Sequence, residues 1–294
     1  MVIPYHRPAP VEVDFKDIFE TGIYTNGEHC RELERKLGEI YHCEALVCSS
    51  GTAGLIIAFN FFCLGHSVSL PVFNWFSDEY AIKLLDKNPV YFDIHKDYWL
   101  GLDRNKLDLR LHTFGNIDGS KQEDCIYDGT HALGVRPLTL GRATVISFAP
   151  TKVVTAGEGG VLLRDKIEKE IIELRDRCFR MSEFHAKICL EYLKKLDDYL
   201  KWKDKVFEYY RYNINGTFQV IPFDSSYNTI GFINTEHLII PKEIEYRQYY
   251  KPLEKGHRNA DYVYNNIICL PSWYGVDYKK IVELIEDENN GHGK

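Results

Sequence analysis

Apolar residues in the first two thirds of the chain fall in short runs that alternate with stretches of helical spacing. Residues 45–48, 68–70, 90–93, 125–127, 144–148 and 160–163 read as six short β-strands. Between them, 53–63 reads as an apolar helix entered through the small-residue turn Ser49, Ser50, Gly51, Thr52, and 80–85 as another helix. Strands separated by helical segments predict an α/β fold, a mainly parallel sheet flanked by helices.

The pattern then changes. Ile167, Ile171 and Leu174 repeat at helical spacing, and a longer helix is predicted from about Ser182. Its apolar stripe is Cys189, Leu193, Leu196 and Leu200, with Lys194, Lys195, Asp197 and Asp198 beside it, the pattern of a helix connecting two lobes. Beyond it lie β-like runs at 218–221, 237–240 and 267–270 and a final amphipathic helix at 278–286. The predicted organisation is a large domain over 1–200 and a small α+β domain over 201–294.

Composition narrows the function. A hydrophobic share of 45% with 27% charged residues suits a packed globular chain rather than a disordered one. The net charge of −7 argues against a protein that binds nucleic acid by neutralising phosphates. The longest apolar run, around 55–64, is interrupted by Asn60 and too short to span a bilayer, and residues 1–10 hold no apolar signal core. Eight cysteines without a CxxC pair, several inside apolar runs, fit reduced, buried thiols better than disulfides or a zinc site. A cytoplasmic protein with no metal, no nucleic-acid partner and no membrane contact is expected.

Four features carry candidate chemistry. Ser50, Gly51 and Thr52 turn a strand into a helix, where free backbone N–H groups and the helix dipole favour an anion. No GxxxxGK[ST] is present, so this is a phosphate cradle other than a P-loop; an N-capped core helix explains the turn equally well. Asp128 ends a predicted strand, the place where ligands bind in open α/β sheets, with His131 three residues on. Lys152 follows the strand ending in Ser147 and precedes Gly157, Glu158, Gly159 and Gly160; burial there lowers an amine's pKa and frees it as nucleophile or base. Trp75 follows the second strand and can stack on a planar ring or serve as core. Phosphate cradle, ring-stacking aromatic, acid and lysine stand in the order a fold-type-I pyridoxal-phosphate enzyme requires: the acid keeps the pyridine nitrogen protonated and the lysine holds the aldehyde as a Schiff base.

At these residues the sequence resembles the DegT/DnrJ/EryC1/StrS sugar aminotransferases, over most of its length. The Asp128–Gly129–Thr130–His131 and Ser147-to-Lys152 stretches are the most specific; Thr25–Asn26–Gly27, Pro71 to Trp75, His112 to Asn116, Phe179 to Glu183 and Leu270–Pro271–Ser272 support them. The resemblance implies pyridoxal 5'-phosphate on Lys152, Asp128 at the pyridinium nitrogen, His131 near the phenolic oxygen and Trp75 over the ring. Gly51, Thr52 and Ser147, with Ser50 beside them, would hold the phosphate. It also implies a homodimer that moves an amino group, commonly from glutamate, to a nucleotide-linked keto sugar. One branch of the family carries histidine in place of the lysine and deoxygenates the sugar, so Lys152 favours transamination.

Three departures stand against that pattern: little room for a crossover helix between Asn116 and Cys125, Cys178 where an asparagine usually reaches the partner's cofactor, and Tyr127 in place of an acidic neighbour. Residues 246–253 resemble a family stretch bordering the acceptor site, which implies Arg247 or Tyr249 against substrate; packing of a tyrosine-rich edge of the small lobe explains them at least as well. A dehydratase or cyclitol aminotransferase on the same site, or a trimmed binding protein without turnover, remain the alternatives.

Overall fold

The computed structural model describes residues 2–101, 107–221 and 223–291. Near the N-terminus, α1 (Lys16–Thr21) precedes α2 (Glu28–Tyr41), which buries Cys30, Leu33, Leu37 and Tyr41 along one face. The strands β1 (Glu44–Cys48), β2 (Ser67–Pro71), β3 (Asn88–Phe92), β4 (Leu109–Leu111), β5 (Ile126–Asp128), β6 (Ala143–Ser147) and β7 (Gly160–Arg164) follow. Two helices intervene, α3 (Gly51–Phe62) and α4 (Phe76–Leu84).

Five strands form a sheet in the order β1-β7-β6-β5-β4, and β2 pairs with β3 in parallel beside it. Asp108 N donates to Ser69 O at 3.1 Å, tying the two sheets at their junction. Strands β4, β5 and β6 run parallel, and β1 shares their direction because only β7 between them is reversed. The expected mainly parallel sheet is therefore present. The apolar α3 lies on one face against β5, β6 and β7, and α2 covers the other side of the layer with α6 (Glu183–Leu193).

The sequence pattern missed β4 because its three residues read Leu-Arg-Leu. Arg110 is nonetheless buried: its guanidinium pairs with the equally buried Asp118 at 2.9 Å and donates to Gln122 at 3.0 Å. Residues 112–125 join β4 to its parallel neighbour β5 with only one 3-10 turn, Thr113–Gly115, so the crossover is as short as the sequence implies.

After α5 (Lys169–Cys178), the single helix expected from Ser182 is two, α6 and α7 (Leu196–Asn213). Leu193 and Leu196 keep helical spacing across the break, so periodicity does not register the change of direction. The break lets α6 pack on α2 while α7 continues into a second core, where Val206, Phe207 and Tyr210 meet Ile281, Val282 and Ile285 of α9 (Tyr278–Gly291). Residue 200 lies within α7.

The second core also holds an antiparallel sheet, β10 (Ile267–Leu270), β9 (Ile230–Ile233) and β8 (Thr217–Phe218), with α8 (Arg258–Asn266) just before β10. The run 237–240, read as β-like, is not a strand. The Asn234 side chain bonds both backbone groups of Leu238 and the Asn289 side chain those of Ile239, so the segment is satisfied without a neighbouring strand.

Candidate active site

The carboxyl ends of β1, β5 and β6 and the loop after β2 open on a cavity of about 300 Å³, within the size class of small-molecule sites. Ser50, Gly51, Thr52, Trp75, Asp128, His131, Ser147 and Lys152 all line it. The reversed strand β7 explains this convergence. Its first residue, Gly160, pairs with Cys48 at the end of β1 and with Ser147 at the end of β6. The 148–159 loop carrying Lys152 is thereby drawn to the same edge as α3.

Close approach at this edge requires glycine. A Cβ on Gly160 would sit 2.7 Å from Gly51 N and from the Ser50 carbonyl, and a Cβ on Gly51 would sit 2.9 Å from the Ser147 Cβ. Ser50 caps α3, its Oγ accepting from Ala53 N at 3.0 Å. Next to that cap, the first turn of α3 presents backbone N–H groups, with the Thr52 and Ser147 hydroxyls on the same cavity wall. This donor set suits an anion with several acceptor oxygens.

Asp128 is buried at 2% exposure, and one of its carboxylate oxygens accepts from Thr130 N at 2.8 Å. Lys152 Nζ has no hydrogen-bond or ion-pair partner among the described residues. Burial lowers its pKa to about 8, and the Asp128 carboxylate limits the fall. A sizeable fraction of neutral amine at neutral pH is what capture of an aldehyde needs. Burial, with Lys152 and Lys203 behind it, drives His131 well below the ordinary imidazole range, so the ring is neutral; its Nδ1 lies 3.1 Å from the Tyr250 hydroxyl. Trp75 is 44% exposed and packs edge-on against Tyr249 at 5.9 Å. The cradle that glycine leaves open, the bare amine and the buried carboxylate fit a phosphorylated pyridine aldehyde.

The rest of the lining was largely invisible in the sequence. Tyr5, His6, Lys203, Tyr250 and Trp273 line the cavity together with Tyr249. One signal pointed to Lys203: it shares a helical face with Tyr199, Val206, Phe207 and Tyr210, all buried, and a lysine at a core position of an apolar stripe is unusual. Its Nζ donates to Asn228 O and Ser272 Oγ, each at 2.8 Å, and burial lowers its pKa to about 7. No carboxylate pairs with it among the described residues. Burial first, and Lys203 second, lower His6 to about 4.

Arg247 and two of the departures from the family pattern lie away from the lining of this cavity. Arg247 is not among its lining residues; its guanidinium pairs with Glu245 and sits over the Tyr5 ring. Tyr127 is buried on the sheet, stacked on His112, and donates to Gln122 O at 3.1 Å. Cys178, at the end of α5, is exposed.

Comparison with known proteins agrees with this architecture. The DegT/DnrJ/EryC1/StrS aminotransferase family matches residues 11–107 and 124–229, and the unmatched interval contains most of the short β4–β5 link. GDP-perosamine synthase of Escherichia coli O157:H7 is 25% identical over 271 residues, covering 74% of this chain and 73% of that protein. The Helicobacter pylori aminotransferase PseC, of pseudoaminic acid biosynthesis, superposes with a TM-score of 0.85 at 18% identity, over 99% of this chain and 100% of that one. The sugar aminotransferase Spr1654 of Streptococcus pneumoniae, in a structure described as its PMP form, gives the same TM-score and identity over 100% of both chains. The chain belongs to the DegT/DnrJ/EryC1/StrS aminotransferase family and has the fold of its pyridoxal-phosphate-dependent enzymes.

Proposed function

We propose that the protein moves an amino group from glutamate to a keto sugar carried on a nucleotide, working in the cytoplasm as a homodimer with lobes over 1–200 and 201–294. The observation that carries the reading is the meeting, in one cavity, of a lysine amine with no partner among the described residues, a buried carboxylate and the N-terminus of an apolar helix. The kinship with GDP-perosamine synthase supports the substrate class.

When bound, pyridoxal phosphate supplies an aldehyde that captures amines and a ring that withdraws electrons from the adjoining carbon. Lys152 would hold that aldehyde between turnovers and carry a proton to and from the substrate carbon, which its lowered pKa permits near neutrality. Asp128 keeps a proton on the ring nitrogen, a role its burial strengthens because water does not screen the pair. The first turn of α3, with Ser50, Gly51, Thr52 and Ser147, binds the phosphate. Neutral His131, whose Nδ1 lies within hydrogen-bond reach of Tyr250, would face the phenolic oxygen, and Trp75 would cover the ring. Lys203 offers a positive charge to the donor's carboxylate.

Support for the dimer comes from α4. Phe76, Tyr80 and Leu84, at 59%, 57% and 56% exposure, follow one another at four-residue spacing beginning beside Trp75. Among the described residues no helix is long and apolar enough to cross a membrane.

Purified protein with pyridoxal phosphate should be yellow, bleach when glutamate is added and regain colour with the correct nucleotide-linked keto sugar. Colour that glutamate never changes would remove transamination and leave a binding protein.

A further inference from the structure

Behind Asp128 lies a second carboxyl for which the family resemblance assigns no role. Asp78, in the first turn of α4 and three residues beyond Trp75, is 0% exposed. Neither of its oxygens has a hydrogen-bond donor among the described residues. Its carboxyl meets that of Asp128. The other neighbour is Asn74, whose Oδ1 accepts from Trp75 N at 2.6 Å and whose Nδ2 also lacks a well-aligned partner. Lys152 is the cation facing the two acids.

Two ionised carboxylates in contact and out of water repel each other, and neither can donate to the other; one proton between them removes both problems. Burial, and after it the charge of Asp128, raise the pKa of Asp78 well above the carboxylate range. We infer that Asp78 is a neutral carboxylic acid at pH 7 whose hydroxyl donates to Asp128, making it the positioning residue for the carboxylate beneath the cofactor site. The significance of the pair for the cofactor rests on the function proposed above; its protonation does not.

The arrangement has two effects. Thr130 N and the Asp78 hydroxyl occupy acceptor positions on Asp128 from behind, so its remaining lone pairs face the cavity. A neutral Asp78 also leaves a single negative charge opposite Lys152. A second charge would hold the proton on the amine more tightly and shrink its nucleophilic fraction.

The test begins with cofactor-free protein at pH 7, in which infrared spectroscopy reads protonated carboxylic acids by their carbonyl stretch. Wild type should show such a band, shifted in heavy water, and Asp78→Asn should lack it; a wild-type spectrum without a band that this substitution removes overturns the inference. The second measurement is pyridoxal phosphate affinity. Asp78→Asn, which keeps an N–H donor, should hold the cofactor with the wild-type absorbance maximum, and Asp78→Leu should bind it about tenfold more weakly. Equal affinity in wild type and Asp78→Leu refutes the positioning role. A wild type that takes up no cofactor removes that role together with the functional proposal, while the infrared band still decides the protonation.

Discussion

The two walls of the cavity are built on different principles. The sheet wall carries Asp128 and Ser147 at strand ends, Ser50 and Thr52 at the turn after β1, and Lys152 on the loop after β6; Gly160 pairs with the ends of β1 and β6, so these groups lie close to the backbone ladder. The second wall takes Tyr5 and His6 from the N-terminal segment, Lys203 from α7 and Tyr249, Tyr250 and Trp273 from the C-terminal third. Its residues are placed by tertiary packing alone. Under the proposed function this is a division of labour: the groups assigned to the cofactor sit on or beside the sheet, and those assigned to the substrate sit on loops and helices that diverge freely.

The largest effect should come from the sheet wall. Lys152→Ala should abolish the yellow absorbance and lower turnover by about 10³-fold or more, since it removes both the amine and the proton carrier. With a pKa of about 8, roughly a tenth of the Lys152 amine is neutral at pH 7, so the rate of cofactor capture by apo protein should rise with pH and level off above about 8. A flat profile through that range would contradict the assigned nucleophile. Next comes Asp128→Asn: loss of one member of a buried charge pair costs about 3–5 kcal/mol, expected as a cofactor dissociation constant raised by about two orders of magnitude or more.

The unequal legibility of the walls follows from the same contrast. Gly51–Thr52, Asp128–His131 and Ser147–Lys152 are local signatures, because a strand followed by a turn fixes where the next few side chains point. Lys203 and Tyr250 reach the cavity through contacts between segments far apart in sequence, and no local spacing encodes that. The fold shows the same limit. Strands flanked by turn residues were readable, but β4 hides a buried Arg110 whose partner Asp118 follows on the next link. The break between α6 and α7 leaves the apolar period intact. Asp78 looks like an ordinary acid in the first turn of a helix, where acids are favoured, and only its complete burial sets it apart.

An intermediate pair of substitutions sets one wall against the other. Gly160→Ala forces a Cβ into backbone 2.7 Å away and should destabilise the fold by about 1–3 kcal/mol, with weaker cofactor retention. Lys203→Met should leave the cofactor absorbance unchanged and raise the glutamate half-saturation concentration about tenfold. The sign of its pH dependence is fixed. A carboxylate binds the protonated amine, so in wild type donor affinity should fall as pH rises through about 7, and the variant should lose that dependence. An absorbance change in Lys203→Met would show that the substrate wall also grips the cofactor.

Trp75 should give the smallest effect and the sharpest boundary between the walls. It belongs to the sheet side by sequence, following β2, yet its ring packs edge-on against Tyr249 and lies 6.2 Å from Tyr250 on the other side. Stacking on a cofactor ring contributes about 0.5–1.5 kcal/mol, so Trp75→Ala should weaken cofactor binding by about two- to tenfold. Trp75→Phe keeps an aromatic face and should recover most of that loss. If Trp75 serves chiefly to brace Tyr249 and Tyr250, both substitutions should spare cofactor affinity and raise the half-saturation concentration of the keto sugar. Measuring the two constants on the two variants therefore assigns this residue to one wall or the other, which its sequence position leaves open.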